Sequence, residues 1–147
     1  MNKKGFTLIE LLVVIAIIGL LSTLAVVALS SAREKARDSK RLSDLKQVQT
    51  ALELYYTDNN AYPAGTSALL GSTNYKCLNA SGFAAQGCSS PYMGLVPLDP
   101  RNTGVYVYTY TSSASTTYSI TGTLEGTVNG LVGTIYATPS GISTSST

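Results

Sequence analysis

Between Phe6 and Leu29 the chain is apolar apart from Gly19, a few small hydroxyl residues and one charge, Glu10. About 20 helical residues cross the ~30 Å hydrocarbon core of a bilayer, so this run is long enough to span one. The carboxylate sits where hydrocarbon is expected, at a cost of roughly 2.5–3.5 kcal/mol on insertion scales, so it calls for a partner. Three readings compete. A cleaved secretory signal has a basic start, an apolar core of about 7–15 residues and a small-residue cleavage site. Ser30-Ser31-Ala32 supplies such a site, but the run is longer than that core. A plain single-pass anchor explains the length and leaves Glu10 without a purpose. The third reading gives Glu10 a partner.

If the chain is cut between Gly5 and Phe6, residues 1–5 are a leader. The new α-amino group, with a pKa near ~8, is cationic at neutral pH. It lies one helical turn before Glu10, on the same face. A neighbouring chain shifted axially by about four residues, roughly 6 Å, would place its own amine opposite this carboxylate. Such pairing removes two unpaired charges together, and a wrong register costs several kcal/mol. Glu10 is then a register-setting device for assembly. The alternative partner is a basic side chain of another membrane protein.

Beyond the run, Ser30 to Asp58 contains neither Gly nor Pro. Leu42, Leu45, Val48, Leu52 and Tyr55 recur at helical spacing, which predicts an amphipathic continuation of the helix over residues 30–58. Six of the ten basic residues lie between Arg33 and Lys46 with acids among them, and this stretch reads as a solvated helix face, the alternative being contact with anionic lipid headgroups. Asp58-Asn59-Asn60 and Pro63 stop the helix. Residues 59–104 read as an irregular connector, rich in Gly and Pro. Cys77 and Cys88 lie inside it, and in a chain that crosses a membrane they suggest one disulfide in an oxidising compartment, the alternative being two free thiols.

Strand signals follow. Val105 to Tyr110 is β-branched and aromatic, Thr117 to Glu125 alternates, and Leu131 to Thr138 follows the turn residues Asn129-Gly130. Residues 105–138 therefore read as an antiparallel sheet of about three strands, and 139–147 as a flexible tail. Residues 59–147 hold 16 Leu, Ile, Val and Phe, too thin a core to stand alone. The helix stripe and the disulfide are expected to complete it. The predicted fold class is α+β, a long N-terminal helix packed on a small antiparallel sheet.

The same half carries only four charges, Lys76, Asp99, Arg101 and Glu125, so it offers no basic face for nucleic acid. There is no histidine, no nucleophile–base set and no phosphate-binding glycine loop, which argues against an enzyme and against a bound cofactor. Asp99 and Glu125 are the only acids after Asp58, a poor supply for calcium or another metal.

Lys4-Gly5-Phe6-Thr7-Leu8-Ile9-Glu10, followed by a long apolar helix, resembles the N-terminus of type IV pilins and type II secretion pseudopilins. The resemblance is dense from residue 3 to about 30. It implies that a prepilin peptidase cuts after Gly5 and methylates the amine of Phe6. It further implies that Glu10 pairs with the terminal amine of an adjacent subunit. The implied protein is a structural pilin or major pseudopilin, the alternative being a minor pilin or a membrane-anchored surface adhesin. Its partners would be copies of itself, the peptidase, an inner-membrane assembly platform, and membrane lipid before assembly. The N-terminus would be cytoplasmic and the C-terminal domain outside, ending in an extracellular or periplasmic filament. Many members of that family carry a proline in the second half of the apolar helix, whereas the first proline here is Pro63.

Overall fold

The structure is a computed structural model that describes residues 5–145; residues 1–4 of the expected leader and the last two of the expected tail lie outside it. The chain falls into two compact units divided after Glu34. One helix, α1 (Leu8–Asn59), contributes to both.

In the first unit the helix is exposed from Leu8 to Arg33. An 18-residue window within α1 has a mean hydropathy of 2.9 and buries none of its residues, so the helix is long and apolar enough to cross a membrane. Leu, Ile and Val side chains here are exposed among the described residues. An apolar surface of that extent marks a site for lipid or other helices.

In the second unit α1 presents Leu45, Val48, Ala51 and Leu52 to a sheet, and all four are buried. Leu42 and Tyr55 pack at the margins of the same core, so the sequence stripe is the packing face. The helix ends where Asn60 turns left-handed, at φ 52°. Its N–H still donates to Tyr56 O at 2.8 Å, closing the last turn in the manner of a left-handed cap.

The sheet has five antiparallel strands in the order β1 (Gly65–Leu69), β4 (Thr109–Ala114), β5 (Thr117–Val128), β6 (Leu131–Thr138), β7 (Gly141–Ser143). A separate hairpin joins β2 (Cys77–Asn79) to β3 (Gly82–Ala84). Cys77 and Cys88 are joined in a disulfide that ties β2 to the loop after β3. Strand β5 turns Tyr118, Ile120, Gly122 and Leu124 inward and leaves Ser119, Thr121 and Thr123 on the other face. Gly122 lies on this inward face, where a Cβ would rest in ordinary contact with the Tyr108 ring at 3.4 Å and Leu45 at 3.6 Å. Asn129-Gly130 joins β5 to β6 with both residues at positive φ, 52° and 79°, the type I′ turn that suits a twisted hairpin.

Three expectations need correction. The connector over residues 59–104 is not irregular throughout, since it holds β1, β2 and β3. The strand expected from Val105 starts only at Thr109. Asn102 and Gly104 take positive φ there, and Tyr106 N–H donates back to Thr103 O at 3.0 Å, so turn geometry overrides strand propensity. The tail is not wholly free, because β7 pairs with β6 from Tyr136↔Ser143 to Thr138↔Gly141.

Leu52 is fully buried in the helix–sheet core, while Leu54, two residues on, is 51% exposed. Leu52→Ala is expected to cost ~2–5 kcal/mol through lost burial and the cavity left behind. Leu54→Ala is expected to stay within ~0.5 kcal/mol. Urea denaturation of the two variants reads the difference directly.

Candidate functional site

The N-terminal site is built from three consecutive exposed residues and one turn of helix. Gly5, Phe6 and Thr7 precede the helix and carry no regular structure. Phe6 is 85% exposed, and space is open around Gly5. Thr7 caps α1. Its backbone N–H donates to Glu10 Oε2 at 2.8 Å, its hydroxyl donates to the same oxygen at 2.7 Å, and Glu10 N–H donates to Thr7 Oγ1 at 3.3 Å. This reciprocal arrangement is a capping box, which satisfies N–H groups that a helix start leaves unpaired. The negative carboxylate also complements the positive end of the helix dipole. Sequence reasoning misses the part played by Thr7, although Thr-x-x-Glu ahead of an apolar run is the sequence sign of such a box. Gly5, Phe6 and Glu10 thus lie together at one exposed helix start, with the carboxylate oriented from within its own chain.

A second polar cluster lies wholly within the second unit. Arg41 has no exposed surface. Its Nε and Nη2 donate to the two oxygens of Asp99 at 2.7 and 3.0 Å. Its Nη1 donates to Asp38 Oδ1 at 2.6 Å and to Glu125 Oε1 at 2.7 Å. Arg37 grips both oxygens of Glu125 at 2.7 and 2.6 Å. Asp38 in turn accepts the backbone N–H groups of Glu125 and Gly126 at 3.0 and 2.8 Å. These come within reach because β5 shifts register against β6 between Thr123 and Thr127. The Tyr106 ring lies 5.0 Å from the Arg41 guanidinium carbon and 4.3 Å from that of Arg101, within range of a cation–π contact.

The arrangement shifts several protonation equilibria. Burial alone would lower the Arg41 pKa, but its bonds to Asp99, Glu125 and Asp38 outweigh this and raise it. Burial would likewise raise Asp99, yet hydrogen bonds from Arg41 and from the N–H groups of Arg101 and Asn102 leave it lowered. The Arg37 hydrogen bond is the main reason that Glu125 falls from 4.5 to about 2; burial opposes the fall and Arg41 adds to it. The stretch read as a solvated helix face therefore supplies a buried charge clamp. Asp99 and Glu125, weighed above as cation ligands, are taken by arginine. Among the described residues no group of three or more His, Cys, Asp or Glu is placed to hold a metal ion. Chemically the cluster is a fastener: it is fully ion-paired and offers no activated nucleophile.

Comparison with known proteins bears on both regions. Residues 1–26 match a prokaryotic N-terminal methylation motif, and residues 28–131 match the family described as type II secretion system (T2SS), protein G. The chain is 43% identical over 68 residues to the type II secretion system core protein G of Pectobacterium carotovorum subsp. carotovorum, covering 46% of this chain and 44% of that one. It is 37% identical over 99 residues to the core protein G of Escherichia coli, covering 67% of each chain. It is 44% identical over 69 residues to the type IV wide pilus major component of Thermus thermophilus, covering 47% of this chain and 53% of that one. The matched stretches thus span about half the length of several of these relatives. No solved structure gives a significant match.

Removing Arg41 leaves buried carboxylates unpaired, so Arg41→Met is expected to cost ~3–5 kcal/mol at neutral pH. The two lowered carboxyls also set an acid limit. The unfolded chain protonates Glu125 near its ordinary 4.5, the folded chain only near 2, so acid favours unfolding in that window. Stability is expected to hold above about pH 4.5 and to decline from there towards pH 2. Glu125→Gln should be less stable at pH 7 and show a shallower acid decline. Urea midpoints measured across that range check both statements, and an equally steep decline in the variant would contradict the assignment.

Proposed function

Because the chain belongs to the type II secretion system protein G family, we propose that it is a structural subunit of a type IV pilus-like filament, cut after Gly5 and assembled through Glu10. The observation that carries this reading is the placement of Glu10 one turn behind Phe6 at the exposed start of an uncovered apolar helix. Cleavage by a prepilin peptidase turns Phe6 into the chain terminus, whose amine, with a pKa near ~8, is cationic at neutral pH. Thr7 keeps the Glu10 carboxylate at that same helix start. A neighbouring subunit offset by about four residues, roughly 6 Å, brings its Phe6 amine to this carboxylate.

Before assembly the apolar helix rests in the inner membrane, with the N-terminus cytoplasmic and the second unit outside. Assembly exchanges lipid for neighbouring helices around the same apolar surface. Any other register leaves an amine and a carboxylate unpaired in a low-dielectric bundle, which costs several kcal/mol. The subunit is structural rather than catalytic. Its partners are copies of itself, the peptidase and an assembly platform in the membrane.

Gly5→Leu is expected to leave the leader attached and to abolish assembly while the protein still inserts. Mass spectrometry of the membrane-extracted chain reads this, and normal cleavage in that variant would overturn the processing step. Glu10→Val is expected to give processed, membrane-resident and largely unassembled subunits. Abundant filaments built of Glu10→Val protein alone would contradict the pairing. Quantifying this chain in purified filaments separates a major subunit, present as the main repeating protein, from a minor one present in traces.

A further inference from the structure

The end of α1 and the β2–β3 hairpin form a cleft of about 350 Å3, lined by Tyr55, Pro63, Asn74, Tyr75, Ser81 and Phe83. The three aromatic rings are half-buried, and Asn74 and Ser81 stand exposed at the rim. No charged side chain is among its described lining residues.

The walls are held from behind. Phe83 pairs across the hairpin with Leu78, and its ring meets the Tyr110 ring edge-on at 5.1 Å. Tyr110 is fully buried, and its hydroxyl donates to Pro63 O at 2.6 Å, fixing another wall. Tyr75 lies 5.5 Å from Phe83, and its main chain is bonded to Ser72 and Gly71. Tyr55 packs edge-on against Tyr92 at 5.8 Å. The Cys77–Cys88 disulfide anchors the hairpin that carries Phe83. Gly82 takes φ +103°, a conformation that side chains resist, and brings the hairpin tip close to Pro63. A preformed cleft with apolar walls and a few polar groups at its edge is the usual form of a small-molecule site.

The lining chooses the class of ligand. An anion would lose hydration here without gaining a counter-charge, and a cation would gain only the ring faces and leave the amide and hydroxyl at the rim unused. A wholly apolar ligand would make no use of the amide and hydroxyl at the rim. A sugar ring offers both surfaces, with C–H faces to lie on aromatic rings and hydroxyls along its edge for Asn74 and Ser81. We propose that this cleft binds a neutral saccharide, of mono- or disaccharide size, at the end of a polysaccharide or glycan. In a filament the site would recur with every subunit, so weak single contacts would add up to firm attachment. The cleft is defined within one chain, and its saccharide binding stands or falls independently of assembly.

The test uses the full-length chain in a detergent without a sugar headgroup, probed by saturation-transfer difference NMR. The probes are maltose, cellobiose, lactose and chitobiose, with choline as a cationic control. At least one saccharide should receive saturation on its ring C–H protons, with a Kd of about 1 mM, in the range of weak single-site contacts. Tyr75→Ala and Asn74→Ala should each weaken it by about tenfold. Asn74 is exposed, so that variant keeps the test valid if Tyr75→Ala disturbs folding. The proposal is overturned if no saccharide responds at about 50 mM, far above that Kd. It is also overturned if Asn74→Ala binds as the unaltered chain does, or if choline binds and the saccharides do not.

Discussion

Burying the charge of Arg41 is the constraint on which the second unit depends. A guanidinium with no access to water costs several kcal/mol unless it is paired on every side. Its partners come from three separate stretches: Asp38 on the helix, Asp99 in the loop ahead of the sheet, and Glu125 on β5. Apolar burial of Leu45, Val48 and Leu52 drives helix and sheet together, but that force has no direction. The ion pairs have direction, so they fix where along the helix the sheet and the loop come to rest. Three arginines (Arg37, Arg41 and Arg101) face three carboxylates, and the cluster is electrically balanced. The register shift in β5, which breaks the regular ladder, is what brings two backbone N–H groups to Asp38.

Much of this was legible because it is periodic or local. The stripe Leu45, Val48, Leu52 repeats at helical spacing, and β5 alternates. Asn129-Gly130 announces its own turn. The charge clamp was not legible, because its pairs span 58, 84 and 88 residues and have no signature in a sequence window. Arg37, Asp38 and Arg41 look like any solvated helix face until Asp99 and Glu125 are placed beside them. Val105 and Tyr106 read as strand by composition but lie in a turn, closed by the Tyr106 N–H bond to Thr103 O, with the Tyr106 ring set against two guanidinium groups. The short strands β1 and β7 escaped because they pair at sheet edges with few apolar residues of their own.

The first unit follows a different logic. Its apolar side chains stand exposed among the described residues, a surface suited to lipid or to other helices. The cue to the proposed function lay in residue order alone, a glycine, a phenylalanine and a glutamate set at fixed distances from the start of the run. The aromatic cleft is the opposite case. Tyr55, Tyr75 and Phe83 sit on three different segments, and only the fold of the second unit brings them together.

The capping box at Thr7 also draws a boundary. Helical winding begins at Leu8, so the Gly5–Phe6 peptide bond stays outside it on exposed chain without regular structure. Enzymes that cut peptide bonds accept unwound backbone and reject a hydrogen-bonded helix. The side-chain grip between Thr7 and Glu10 therefore sets how far the chain remains readable before the rod begins. On the reading proposed above, the glutamate that would join subunits would also keep the bond after Gly5 within an enzyme's reach, two tasks for one carboxylate at successive moments.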